Sequence, residues 1–316
     1  MVEKIIYNHV NLQNMESDTP NTRQTKVKPQ SIALNDPYDR QAPIVLAAPQ
    51  LMPGAEFMRS IRDFRVPHDA FAVWYLGQNG FILKDSSGPL IGIDLYLTNS
   101  CAKTFAHLPF RLDRQLPVFI EPEDLDVDLF VTTHSHDDHA DPETIRRLTR
   151  TAAMTFIGPY DSMRVFRECG IEESLCRLIH PGQTLQSGST QLQATFALPT
   201  DATDLNHSGM LVTFANGLTF YNSGDTAWAE RLPALLPSGM DVCTICINGG
   251  FHNLMPAQAA AIAHALSPRV VIPCHYDMMV NNVGSPEMFR VALDLQQSKA
   301  KFLQLRYYEP WLYRRD

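Results

Sequence analysis

At 316 residues, with 45% hydrophobic and 19% charged content, the chain has the make-up of a globular protein, enough for one large domain or two small ones. Its formal charge of -8 excludes nucleic acid as a main partner, because phosphate backbones call for a basic surface. No run approaches the twenty or so apolar residues of a transmembrane helix, so no membrane partner is expected.

Residues 1–55 are rich in Asn, Gln, Asp, Thr and Pro and show little periodicity. They predict an extended or partly disordered arm ahead of a single catalytic domain over 56–316. The opening stretch lacks the apolar core and cleavage site of a secretory signal. Six cysteines, at 101, 169, 176, 243, 246 and 274, form no disulfide framework, and a cytoplasmic location follows. Cys243 and Cys246 make a CxxC inside the apolar run DVCTICIN, where buried thiols are expected rather than a metal or redox pair.

From Phe71 the texture changes. FAVWYLGQNGFILKDSSGPLIGIDLYL reads as three strands, broken at Gly77-Gln78-Asn79-Gly80 and at Asp85-Ser86-Ser87-Gly88. The adjacent Trp74 and Tyr75 are expected in the core. LDVDLFVTTH predicts the next strand, and ETIRRLTRT a helix with Asp141 as N-cap and Pro142 at its first position. Further on come the strand AMTFIGP, the helix SMRVFRECG closed by a glycine, and strands in QLQATFALP, MLVTFANGLTFYNSG, DVCTICIN and RVVIPCH. PAQAAAIAHALSP predicts an Ala-rich helix stopped by proline. Early strand pairs followed by alternating strands and helices imply an α/β fold, with sheets covered outside by helices.

Between the LDVDLFVTTH strand and its following helix lies His134-Ser135-His136-Asp137-Asp138-His139. Three imidazoles and two carboxylates on one short bend are the usual ligands of divalent zinc, manganese and iron. A hydrolytic site also needs an open position where a water becomes hydroxide near neutral pH. Two ions need about six or seven protein ligands, more than this segment supplies. Three later residues at strand termini are candidates for the rest, each with a plainer reading as a turn aspartate or a structural histidine when taken singly: His207 before a strand, Asp225 at a Gly-Asp turn and His275 after a β-branched run.

Here the chain resembles the metallo-β-lactamase superfamily, whose HxHxDH motif His134, His136, Asp138 and His139 match position for position. The resemblance implies an αββα sandwich of two mixed β-sheets flanked by helices. It implies that His134, His136 and His207 hold one ion, that Asp138, His139 and His275 hold a second, and that Asp225 bridges them. Asp94, at the end of LIGID, matches the aspartate that orients a ligand from behind; its plainer reading is a turn residue.

A closer similarity, through FAVWYLGQNGFILK, FIGPYDSMRVFRECGI, RLIHPGQTLQSG, YNSGDTAW and VVIPCHYD, is to the bacterial L-ascorbate-6-phosphate lactonase group. That similarity implies opening of a sugar-acid phosphate lactone, in L-ascorbate utilisation, with two divalent ions, manganese or zinc, and a small anionic substrate. The chain departs from the group in a shorter connection from Asp94 to His134, in the sequence around His207, and in ending soon after YYEPWLYRRD. These departures bear on the substrate more than on the reaction.

In this reading a hydroxide attacks the ester carbonyl and Asp138 relays a proton to the departing alkoxide. His252 and Asp277 are candidate pocket residues, and Lys103, Arg111 and Arg114 are candidates for a phosphate grip; structural or solvated roles are the alternatives. A phosphodiesterase or phospholipase-D-like enzyme would use the same metals. A non-catalytic metal-binding protein would have lost ligands, and a diiron redox branch resembles HxExD, with Glu where this chain has His136. A homo-oligomer is left open.

Overall fold

The computed structural model describes residues 54–282 and 284–315. The arm expected over 1–55 therefore lies outside the described residues up to position 53, and Gly54 and Ala55 open a helix instead. Everything that follows is organised by the first hairpin. β1 (Ala70–Gly77) and β2 (Gly80–Asp85) pair antiparallel, from Phe71 opposite Asp85 to Gly77 opposite Gly80. Successive side chains in a strand point to opposite faces. Phe71, Val73 and Tyr75 accordingly join one apolar cluster, and Ala72, Trp74 and Leu76 join another. With both faces covered, the strand has no polar side to show, which is why it reads as a nearly continuous apolar run. Trp74 and Tyr75 are core residues, 2% and 0% exposed.

The chain then adds β3 (Ile91–Ile93) antiparallel to β2, and β4 (Leu129–Val131), β5 (Thr155–Gly158) and β6 (Cys176–Leu178) in parallel succession. β14 (Trp311–Arg314) closes the other edge against β1, completing the order β14-β1-β2-β3-β4-β5-β6. A second seven-stranded sheet repeats the plan. β7 (Thr184–Ser187), β8 (Thr190–Phe196), β9 (Ser208–Thr213) and β10 (Thr219–Asn222) run antiparallel. β11 (Val242–Cys246), β12 (Val270–Cys274) and β13 (Lys301–Phe302) follow in parallel.

Helices cover the outer faces. Met58 and Ile61 of α1 (Gly54–Asp63), Ile145 of α3 (Pro142–Arg147), and Val165 and Phe166 of α4 (Tyr160–Glu168) pack with Trp74, Phe130 and Phe156 on the outside of the first sheet. Ala259 and Ile262 of α5 (Pro256–Leu266), with Phe289 and Leu293 of α6 (Pro286–Leu295), pack with the strands of the second. The short α2 (Ser100–Thr104) follows β3 beside a small cluster of Tyr96, Cys101, Leu116, Met278 and Met279. The result is the αββα sandwich that the resemblance implied.

Candidate metal centre

The loops that leave the carboxyl ends of the central strands carry the polar residues, the usual place for a site in an open α/β sheet. Asp94 follows β3, the histidine segment follows β4, Asp225 follows β10 and His275 follows β12, while His207 precedes β9. Two of these positions need unusual backbone. Asp94 (φ 46°) and His275 (φ 60°) sit in the left-handed region, as does Gln78 (φ 53°) in the β1–β2 turn. Such strain persists where the surroundings over-determine it. Here the His275 N–H donates to the Gln78 carbonyl at 2.6 Å and the Asp94 N–H to the Val131 carbonyl at 2.9 Å. Gly224 (φ 58°) lets the chain turn into Asp225, for a Cβ there would meet the Ser208 carbonyl oxygen at 2.6 Å. The histidine segment is itself a tight turn: the N–H groups of His139 and Ala140 both donate to the His136 carbonyl, at 2.9 and 2.8 Å. Asp141 then caps α3, accepting from the N–H groups of Glu143 and Thr144 at 3.0 Å each.

These elements bring all seven expected donors together. Ligating atoms of His134, His136 and His207 lie within 4.8 Å of one another, and so do those of Asp138, His139 and His275. Asp225 forms a third such group with His134 and His139, and so lies between the two sets. His134 Nε2 stands 2.9 Å from His136 Nδ1, and His139 Nε2 stands 3.2 Å from His275 Nε2. Asp225 Oδ1 is 3.2 Å from His275 Nε2 and 3.5 Å from His139 Nε2; Asp138 Oδ2 is 3.3 and 3.6 Å from the same two nitrogens.

The far sides of two of the rings are fixed as well. His139 Nδ1 donates to Asp94 Oδ2 at 2.8 Å, and His207 Nδ1 to the Asp225 carbonyl at 3.0 Å. Each bond directs Nε2 inward. Asp94 is fully buried and takes further bonds from the Thr133 N–H, the Thr133 hydroxyl and the Asn79 amide, at 2.7, 2.6 and 2.6 Å. It thus contacts His139 directly, which a turn role alone does not call for.

The electrostatics follow from this packing. Burial, and then the neighbouring imidazoles, hold His134 well below the ordinary histidine value, and burial also lowers His207. His139 goes the other way. Burial opposes its charge, but Asp138, Asp225 and Asp94 together outweigh it and hold its pKa well above normal. Burial raises Asp138 and Asp225 too, and there the facing His139 and His275 win, holding both well below the usual carboxylate range. Buried His207 Nε2 has no hydrogen-bond partner, and Asp225 Oδ1 makes no hydrogen bond of good geometry although His275 and His139 face it at 3.2 and 3.5 Å. Orphaned buried donors and acceptors are costly. Imidazole nitrogens and carboxylate oxygens converging around these two atoms fit divalent cations, which would satisfy both.

A cavity of about 340 Å³ opens over this floor, lined there by Gln78, His136, Asp138, Asp225, Asn253 and His275. The weaker sequence candidates are not brought to it, which corrects the expected phosphate grip. Arg114 spends its guanidinium on the carbonyls of Tyr96 and Leu116, at 2.6 and 2.7 Å, and on the Tyr308 hydroxyl. Arg111 pairs with Asp113 at 2.7 Å and Lys103 with Glu143 at 3.1 Å, both at the surface. His252 is exposed, and neither it nor Asp277 lines the cavity. The CxxC thiols are buried in β11, and burial, with Asp225 adding to it, pushes Cys246 up to about 12.

Sequence reading missed the amides that hold the carboxylates. Gln78 Nε2 donates to Asp138 Oδ2 at 2.6 Å and is itself gripped by Asn282 at 2.6 Å. Asn253 Nδ2 donates to Asp225 Oδ2 at 2.5 Å. It also missed Asp204, which accepts from the Ser135 N–H at 2.7 Å, and Asp201 and Thr203, which face His136 Nε2 at 3.4 and 3.1 Å. The only signal for Gln78 was the pair of glycines around it.

The chain is similar to known proteins. The family model described as "Beta-lactamase superfamily domain" matches residues 72–275. A UPF0173 metal-dependent hydrolase of Thermodesulfovibrio yellowstonii is 26% identical over 252 residues, covering 74% of this chain and 88% of that protein. A probable L-ascorbate-6-phosphate lactonase of Salmonella paratyphi B is 24% identical over 294 residues, covering 79% of this chain and 81% of the relative. Among solved structures, the metallo hydrolase Igni18 of Ignicoccus hospitalis superposes with a TM-score of 0.61 at 19% identity, over 78% of this chain and 100% of that one.

Proposed function

The chain belongs to the beta-lactamase superfamily, as a metal-dependent hydrolase of the metallo-β-lactamase fold, and from that premise we propose that it opens a lactone or related carboxylic ester at a two-ion centre. The observation that carries the reading is the convergence of seven donors, two of them buried and without a hydrogen bond of good geometry, on the floor of an open cavity. In this proposal His134, His136 and His207 hold one divalent ion, Asp138, His139 and His275 the other, with Asp225 between them; manganese and zinc both suit such donors. Ions bound there supply a water of lowered pKa and polarise the carbonyl oxygen.

The protein's own residues do the rest. Asp138, its Oδ2 fixed by the Gln78 amide, lines the cavity as a carboxylate and is placed to pass a proton to the leaving alkoxide. Asp94 holds the His139 ring in place through Nδ1, and Asn253 fixes the second oxygen of Asp225. His136 stands where the HxExD redox branch carries Glu, which sets the chain apart from that branch. A lactone is favoured over a phosphodiester by the likeness to the Salmonella lactonase. The sugar-acid phosphate of that relative is carried over with the same likeness, although among the described residues the cavity lining offers no Lys or Arg for its phosphate. Six free thiols support a reducing cytoplasm.

A hydrolysis screen of Mn- and Zn-reconstituted protein tests the reading, using sugar lactones with and without phosphate, simple lactones and bis-p-nitrophenyl phosphate. Turnover of lactones is expected. Cleavage of the diester with every lactone inert would favour the phosphodiesterase alternative. Asp138→Asn should lower kcat by at least about 100-fold, the scale of a lost general acid-base. Full turnover by that variant with metal bound would remove Asp138 from the chemistry.

A further inference from the structure

Above the polar floor, the cavity wall has a different chemistry. It is formed by Phe105, Leu108, Phe110 and Leu112 from the segment after α2, by Phe251 from the β11–α5 loop, and by Met279. Among the described residues lining the cavity there is no Lys or Arg; Asp138, Asp225, His136 and His275 belong to the ion-binding floor, and the remaining carboxylate, Asp201, faces His136. A phosphorylated or carboxylated tail lying on this wall, away from the ions of the floor, would lose hydration and meet no cationic side chain there, which is costly. An apolar tail would leave water at a gain proportional to its area.

Phe251 shows that the wall is more than leftover core. It is 49% exposed, stands at φ 53° beside His252 at φ 64°, and packs against Phe110 with ring centroids 5.5 Å apart. Neither ring belongs to the hydrophobic clusters that hold the sheets and helices together. Two aromatic side chains from separate loops, one in a strained backbone and half in water, are thus held at the cavity without serving the fold. Strain of that kind gathers at ligand clamps. At about 340 Å³ the cavity is at the small end of the range for metabolite-sized ligands.

We propose that the substrate is an uncharged lactone or ester whose alkyl or aryl group lies on the Phe105–Phe110–Phe251 wall, its carbonyl directed to the floor. The inference rests on the hydrolase reading above and narrows its substrate from any lactone or carboxylic ester to an apolar one, in place of the sugar phosphate. The step is net addition of one water across the acyl C–O bond. The water oxygen bonds to the carbonyl carbon and the ring C–O bond breaks. One water proton ends on the departing alkoxide, and the other leaves to solvent from the product acid.

The test uses the full-length Mn-reconstituted protein and γ-lactones with methyl, ethyl, butyl and hexyl side chains, against 6-phosphogluconolactone. We expect kcat/KM to rise about threefold to fourfold per methylene from methyl to butyl, the factor for burying one such group, and the phosphorylated lactone to be at least tenfold poorer than the butyl compound. Phe251→Ala, at a half-exposed position, should cut the rise to about twofold per methylene, and Phe110→Ala likewise. A flat or falling series, or preference for the phosphorylated lactone, would overturn the proposal. Calorimetric affinities of the matching unreactive lactams separate this claim from the reaction. Affinity that climbs with chain length while no lactone turns over would uphold the wall and reject the lactonase reading. Affinity indifferent to chain length would reject the wall.

Discussion

A single buried carboxylate, Asp94, shows how little of this centre is left to chance. Three donors from the protein hold it while it holds His139, so the ring is oriented before any ion arrives. Asp94→Ala frees that ring and should weaken divalent-ion affinity by about 10- to 100-fold, the usual cost of losing such a partner; equilibrium dialysis against Mn²⁺ or Zn²⁺ measures it. His139 also sets a pH dependence. Its pKa in the folded protein is held well above the ordinary 6.5 by Asp138, Asp225 and Asp94, which outweigh burial. In the metal-free protein that ion pairing stabilises the fold fully below about pH 6.5 and is lost as pH rises through the raised value. A bound cation replaces the lost charge and requires a neutral imidazole. The metal-induced rise in Tm should therefore be larger at pH 9 than at pH 7, and binding at pH 7 should release protons. A metal-induced rise that shrinks with pH would contradict the assignment. At this scale the sequence showed the converging donors, because imidazole and carboxylate stand out at strand ends. It hid Gln78, Asn253 and Asp204, whose roles depend on which loops meet.

Among the elements, those with strong local signals were legible. α4 ends at Cys169 with Gly170 at φ 85°, a glycine in the left-handed position that closes many helices. α5 runs between its prolines as expected. α3 begins at Pro142 behind its Asp141 cap but stops at Arg147, short of the expected ETIRRLTRT, because Leu148 leaves the helical region to bury its side chain. Asp141 does more than cap: it also accepts from the Thr98 and Ser100 hydroxyls, at 2.6 and 2.8 Å, and so ties the loop after β3 to the end of the histidine segment. Asp141→Ala removes a cap and orphans buried hydroxyls, so a loss of about 2–4 kcal/mol is expected, read by urea unfolding, with weaker metal binding as its companion. A loss within about 0.5 kcal/mol, typical of a surface change, would deny it that role. α6 carried a readable Ser285-Pro286 start and helical spacing of its buried Pro286, Phe289 and Leu293, yet was missed because the exposed Met288, Val291 and Leu295 blur its apolar face in the sequence. The short β6, β7 and β13 were missed because two to four half-exposed residues leave no alternation to detect.

At the scale of the molecule, the two sheets share one plan, antiparallel strands leading into parallel ones, and both deliver their parallel ends to the same centre. That pairing was beyond local pattern. β14 closes on β1 from the far end of the chain, secured where Arg315 and Tyr313 bond to Asp241 at 2.7 and 3.0 Å. Order along the sequence could suggest sheets under helices; the resemblance supplied the sandwich, and the structure has it. What the molecule does with that frame rests on whether the converged donors hold two catalytic ions. The direct measurement is a titration of the metal-free protein with Mn²⁺ or Zn²⁺, counting bound ions per chain while following lactone hydrolysis. Two ions per chain, with hydrolysis appearing as they bind and lost on chelation, is the predicted result. Hydrolysis that survives complete removal of metal, or a chain that binds no divalent ion, would contradict it.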